Sequence, residues 1–100
     1  MIIYSVKISL KEEVCEQWVK WMKKHHIPAV MNTGLFVEFE FFQNLCKPLT
    51  YTIKYQLNDI EKYYKYKELH ADALQKEHAQ KFRNQFSAKR QIFTNLDLED

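Results

Sequence analysis

The chain begins Met1-Ile2-Ile3-Tyr4-Ser5-Val6-Lys7-Ile8-Ser9-Leu10, and the reading of this stretch decides the fold. Ile2, Tyr4, Val6, Ile8 and Leu10 fall on one face of an extended chain, and Ile3, Ser5, Lys7 and Ser9 on the other. Such a strand packs on one side only. Ser9-Leu10-Lys11-Glu12 then has the form of a capping box, with the Ser9 hydroxyl accepting from a first-turn amide and Glu12 reaching back. The helix it opens carries Val14, Trp18, Val19, Trp21 and Met22 at nearly helical spacing. Pro28 is expected to stop it, because the residue before a proline is pushed towards extended geometry. Asn32-Thr33-Gly34 reads as a turn that spends the chain's single glycine on a positive φ.

Further along, a second strand from Leu35 to about Leu45 sets Val37, Phe39 and Phe41 against Phe36, Glu38, Glu40 and Phe42. Cys46-Lys47-Pro48-Leu49 is too short a link for anything but an antiparallel neighbour. That neighbour, Thr50 to Leu57, turns Tyr51, Ile53, Tyr55 and Leu57 to one face. Asn58-Asp59-Ile60-Glu61 reads as a second capping box. The helical pattern that follows runs to Phe86, long enough to call for a bend or break near Leu69-His70. From Ser87 to about Leu98 the chain alternates again, and Asp97, Glu99 and Asp100 read as a frayed acidic tail.

The order βαββαβ is the split βαβ arrangement, an α+β ferredoxin-like fold. Right-handed crossovers place both helices on one face of a four-stranded antiparallel sheet in the order 4-1-3-2. A length of 100 residues implies a single domain spanning 1–100. Hydrophobic residues at 46% and one glycine exclude a disordered or collagen-like chain. A formal charge of +2 argues for no nucleic-acid partner. The two cysteines, Cys15 and Cys46, have no CxxC spacing. No basic segment precedes the apolar start, and no apolar run approaches the ~18 residues of a membrane span. A cytoplasmic protein without a membrane partner is expected.

Several of these residues together resemble a known family. Met1-Ile2-Ile3-Tyr4, Trp18-x-x-Trp21-Met22, His26-Ile27-Pro28, Thr33-Gly34-x-Phe36 and a closing segment with His78, Phe82, Phe86 and Arg90 resemble an uncharacterised family of bacterial domains about as long as this chain. It is a domain of unknown function of the dimeric α/β-barrel group. Ser5 stands where that family often has Asn. The resemblance implies the same fold and a dimer, and it carries no assigned reaction.

No residue pattern fixes a reaction either. His25 and His26 are adjacent and point apart on a helix, while His70 and His78 lie two turns from each other, so no metal is expected. His26, at the expected helix end, is a candidate ligand-binding or acid–base group, or a donor to the last free carbonyls. Trp18 is expected in the core and Trp21 nearer the helix edge or a partner. Gly34-Leu35-Phe36-Val37-Glu38-Phe39 has the rhythm of an RNA-recognition strand, but it sits on the second strand beside Glu38 and Glu40, whose charge repels phosphate. Cys15 reads as a small apolar residue rather than a nucleophile.

The open sheet face should carry Lys7, Glu38, Glu40 and Lys54, a charge-paired surface suited to a small polar ligand and unsuited to haem. The long aromatic edge of the second strand needs a cover, so a homodimer is expected whose interface includes Phe36 or Phe42. The function expected is therefore a non-catalytic homodimeric module that binds a small molecule or protein, with no cofactor, through Lys7, Glu38, Glu40, Lys54 and His26. The alternative is a dimeric α/β-barrel enzyme such as a small monooxygenase. The haem-degrading members of that group carry an Asn on the first strand, a Trp on the third and a His on the second helix, where this chain has Ser5, no Trp, and His70 or His78, so only the histidine is kept.

Overall fold

The computed structural model describes residues 1–96. Strand β1 (Ile2–Leu10) lies between β4 (Phe86–Thr94) and β3 (Thr50–Leu57), and β2 (Glu38–Gln43) forms the edge beyond β3. Every neighbouring pair is antiparallel. The order β2-β3-β1-β4 is the expected order read from its other edge. Leu98 and the acidic residues Asp97, Glu99 and Asp100 lie outside the described residues.

The first helix follows a short 3-10 turn (Glu12–Val14) and consists of α1 (Cys15–Trp21), a π-helical turn (Met22–His26) and α2 (Ile27–Met31). The second consists of α3 (Ile60–Tyr66), a π-helical turn (Lys67–Ala71) and α4 (Asp72–Lys81). Both helices lie on the face of the sheet that presents Tyr4, Ile8, Ile53, Tyr55 and Leu57, all buried. The first helix contributes Val14, Trp18, Met22, Ile27 and Val30 to this core, and the second Tyr66, Ala71 and His78. On the opposite face Lys7 is exposed, while the small Ser5 is covered between its neighbours Lys54 and Gln91.

Several local expectations are corrected. Ser9 belongs to β1 and shares a 3.3 Å hydrogen bond with Thr50 Oγ1, so it caps nothing. At the second helix the cap is Asp59, whose carboxylate accepts from the Lys62 amide at 3.1 Å, without a reciprocal Glu61 contact. Pro28 does not end the first helix, which continues to Met31. A proline in an α-helix removes an amide and collides with the carbonyl four residues back. Here a π turn directly precedes it, with the Ile27 amide donating to Met22 O, and the wider turn spares that clash. In the second helix no break occurs near Leu69-His70; the π turn at Lys67–Ala71 takes its place.

The second strand is shorter than its sequence pattern. It begins at Glu38, because Phe36 leaves the edge and enters the core. There its ring meets Tyr66 at 4.9 Å, Tyr55 at 5.1 Å and Tyr4 at 6.2 Å. Phe36 is therefore no interface residue. Gly34 does take a positive φ, +79°.

Candidate functional site

The most polar point of the core is where the two helices face each other. Trp18 is completely buried, and its Nε1 donates to His78 Nε2 at 2.9 Å. An indole N–H can only donate, so His78 Nε2 must accept and the neutral imidazole carries its proton on Nδ1. That Nδ1 is buried and has no partner among the described residues. His26 Nδ1 is likewise buried and unpartnered. The two imidazoles lie 5.5 Å apart, and Trp21, Phe82 and Phe86 close around His78 at 5.7, 5.7 and 4.2 Å.

The π turn at Met22–His26 makes this arrangement possible. Residues five apart point well away from each other on an α-helix, but the wider turn brings them nearly into line. Trp21 and His26 are five apart and their rings stack at 5.2 Å. The same device in the second helix keeps both Tyr66 and Ala71 inward.

Below the imidazoles lies a narrow cavity of about 20 Å³ whose polar lining comes from Tyr4, His26, Tyr66, Gln75, His78 and Arg90. That is room for about one water molecule. Arg90 pairs with Val6 across the sheet, between Ala88 and Ile92, and so points to the helical side, where it stands exposed at the mouth. Among the described residues no carboxylate lines the cavity. Burial, aided by the Arg90 charge, lowers the pKa of His26 to about 4. Burial, then His26 and Arg90, lowers that of His78 to about 4 as well. Burial also raises the hydroxyls of Tyr4, Tyr55 and Tyr66, against which Arg90 lowers Tyr4 and Tyr66. All three phenols stay protonated. At neutral pH the cavity is thus surrounded by neutral donors and one fixed positive charge.

The residues singled out from sequence do not converge. Lys7, Glu38, Glu40 and Lys54 lie on the open sheet face, and His26 lies on the other side of the sheet. Glu40 is the cross-strand partner of Lys54, which in turn pairs with Ser5. Lys54 Nζ sits 5.7 Å from the Phe42 ring centre. Among the described residues the salt bridge made is Lys20–Glu16, at 3.7 Å on the surface. No group of three or more His, Cys, Asp or Glu side chains could hold a metal there. Trp21 is buried like Trp18, not at the helix edge. Sequence reasoning found only His26 of this lining and missed Tyr4, Tyr66, Gln75, His78 and Arg90 as site residues. For Arg90 a signal was present, since it alternates with Ala88 and Ile92 on the strand's inner side.

A four-stranded antiparallel sheet in the order β2-β3-β1-β4 with both helices on one face defines a protein of the ferredoxin-like α+β class. Residues 1–96 match the family described as a domain of unknown function, DUF4286, and the chain belongs to it. None of the curated proteins matches the chain in sequence. Among solved structures it is similar to an antibiotic biosynthesis monooxygenase, at 8% identity over 97% of this chain and 100% of that one, with a TM-score of 0.75. A dimeric ferredoxin-like protein from an uncultured marine organism matches at 10% identity over 97% and 96% of the two chains, with a TM-score of 0.73. HapK from Hahella chejuensis matches at 13% identity over 96% and 93%, with a TM-score of 0.71. At such identities the likeness is one of fold. No helix among the described residues is long and apolar enough to cross a membrane.

Proposed function

We propose that this protein is a homodimeric binding module whose small-molecule ligand enters the cavity between helices and sheet. The observation that carries this reading is the pair of buried imidazole nitrogens, His26 Nδ1 and His78 Nδ1, with no partner among the described residues. Leaving a buried polar atom unpaired costs about 1–3 kcal/mol. A fold that keeps two of them side by side on one cavity wall has groups ready for a bound molecule. The open-face residues Lys7, Glu38, Glu40 and Lys54 belong, in this reading, to pairing between sheets of two subunits. The dimeric relative of the same fold supports that part.

The enzymatic reading draws on the structural likeness to a monooxygenase. Imidazoles with pKa values of about 4 are weak bases at neutral pH, which favours binding over proton abstraction. Native mass spectrometry tests both parts of the proposal. The expected result is twice the chain mass, and a small-molecule adduct from a panel of polar compounds that His26→Phe abolishes. A monomer at every concentration, or adducts indifferent to His26→Phe, would overturn it.

A further inference from the structure

We infer that the ligand of this cavity is a small monocarboxylate, one oxygen of which accepts from His78 Nδ1–H while its charge is met by Arg90. The inference rests on the proposed function and names its ligand class.

The first support is the forced tautomer. Because Trp18 donates to His78 Nε2 at 2.9 Å, the free nitrogen of His78 carries hydrogen. His78 is 3% exposed, and this donor has no acceptor among the described residues. A ligand atom that satisfies it must be an acceptor. The second support is the charge count. Among the described residues nothing acidic lines the cavity and Arg90 makes no ion pair, and both histidines are neutral at physiological pH. An arginine at the rim with no acidic partner among the described residues attracts one negative charge. The third is size. A cavity of about 20 Å³ holds one water-sized atom, so a single carboxylate oxygen enters and the rest of the ligand, its second oxygen included, stays at the mouth beside Arg90. Guanidinium–carboxylate pairs are also the geometry for which arginine is suited.

Trp18 makes the binding visible, since its indole is bonded to the imidazole that would receive the ligand. The experiment titrates acetate and benzoate into the protein while tryptophan emission is followed. Benzamide, a neutral isostere of benzoate, and inorganic phosphate serve as comparisons. Saturable emission changes with the carboxylates are expected, with a downfield shift of the His78 Nδ1–H proton resonance. Arg90→Gln, at an exposed position, should weaken carboxylate binding by about tenfold or more. His25→Ala, on the outer helix surface, should leave it unchanged.

Benzamide binding as tightly as benzoate, or carboxylate binding untouched by Arg90→Gln, would overturn the inference. Tighter binding of phosphate than of either carboxylate would do the same. If neutral compounds bind at a site sensitive to His26→Phe while carboxylates do not, the proposed function survives and the monocarboxylate falls. If nothing binds there, both fall.

Discussion

At the scale of single residues, the two tryptophans and the two inner histidines form one unit. Trp18 is fully buried and Trp21 is 9% exposed. Replacing either by Ala should cost about 3–5 kcal/mol, measured by urea denaturation. Trp18→Phe keeps most of the packing but removes the donor to His78 Nε2, and should cost about 1–3 kcal/mol. Equal stability of Trp18→Phe and the parent protein would mean the hydrogen bond contributes nothing. The histidines also set a pH dependence. Their pKa is near 4 when folded, against the ordinary value of 6.5. Between these values the unfolded chain binds more protons, so their contribution is complete above pH 6.5 and is lost as pH falls towards 4. For His78, the more deeply buried of the two, the loss amounts to ~3 kcal/mol over that range. Urea midpoints at pH 7 and pH 5 should show the decline. His26→Phe should flatten it, whereas exposed His25→Ala should not.

At the scale of elements, the strands were readable in the sequence and the helix interiors were not. Strict alternation in Ile2–Leu10 and Thr50–Leu57 has a single structural meaning, and both strands form over those residues. The stripes of the helices tolerate an extra residue per turn without losing their apolar look, so neither π turn showed itself. Pro28 was misread for the same reason. Its effect depends on the turn before it, which periodicity does not report. Phe36 was misplaced because alternation alone cannot tell where an edge strand yields to a loop that tucks inward. The site followed the helices into obscurity: His78 stood in an apolar stripe, but its partner Trp18 is 60 residues away in sequence. The π turn can be tested directly. Deleting Lys24, exposed within Met22–His26, should restore an α-helical turn, which keeps His26 on the Trp21 face, four places on, but brings Pro28 against the carbonyl four residues back. The protein should lose about 3 kcal/mol of stability by urea denaturation while its tryptophan emission holds. Unchanged stability would show that the π turn does not accommodate Pro28.

At the scale of the whole molecule, the decisive dimension is the short one. The protein measures 46 × 32 × 20 Å, one sheet and one helical layer thick. Such a slab leaves a sheet face uncovered, whereas sheets ordinarily bury at least their apolar side against another layer. Here the uncovered face is polar at its centre, where Glu40, Lys54, Ser5 and Gln91 lie in register and Lys7 stands opposite Lys89. Two aromatics flank that centre: Phe42 opposite Thr52, 43% exposed, and Phe93 opposite Ile3, 45% exposed. Anchoring rings around a charged middle suit stacking of two such faces, in which each Lys54 finds a carboxylate of the other subunit and the rings lose contact with water. Edge-to-edge pairing through β2 would leave Phe93 in solvent, since β4 is the opposite edge. The two geometries therefore separate by mutation. In face-to-face stacking, Phe42→Glu and Phe93→Glu should each shift sedimentation from dimer to monomer, with little loss of monomer stability because both rings are already exposed. If only Phe42→Glu does so, the subunits pair through β2; a parent protein that sediments as a monomer leaves the open face without a partner and ends the dimer reading.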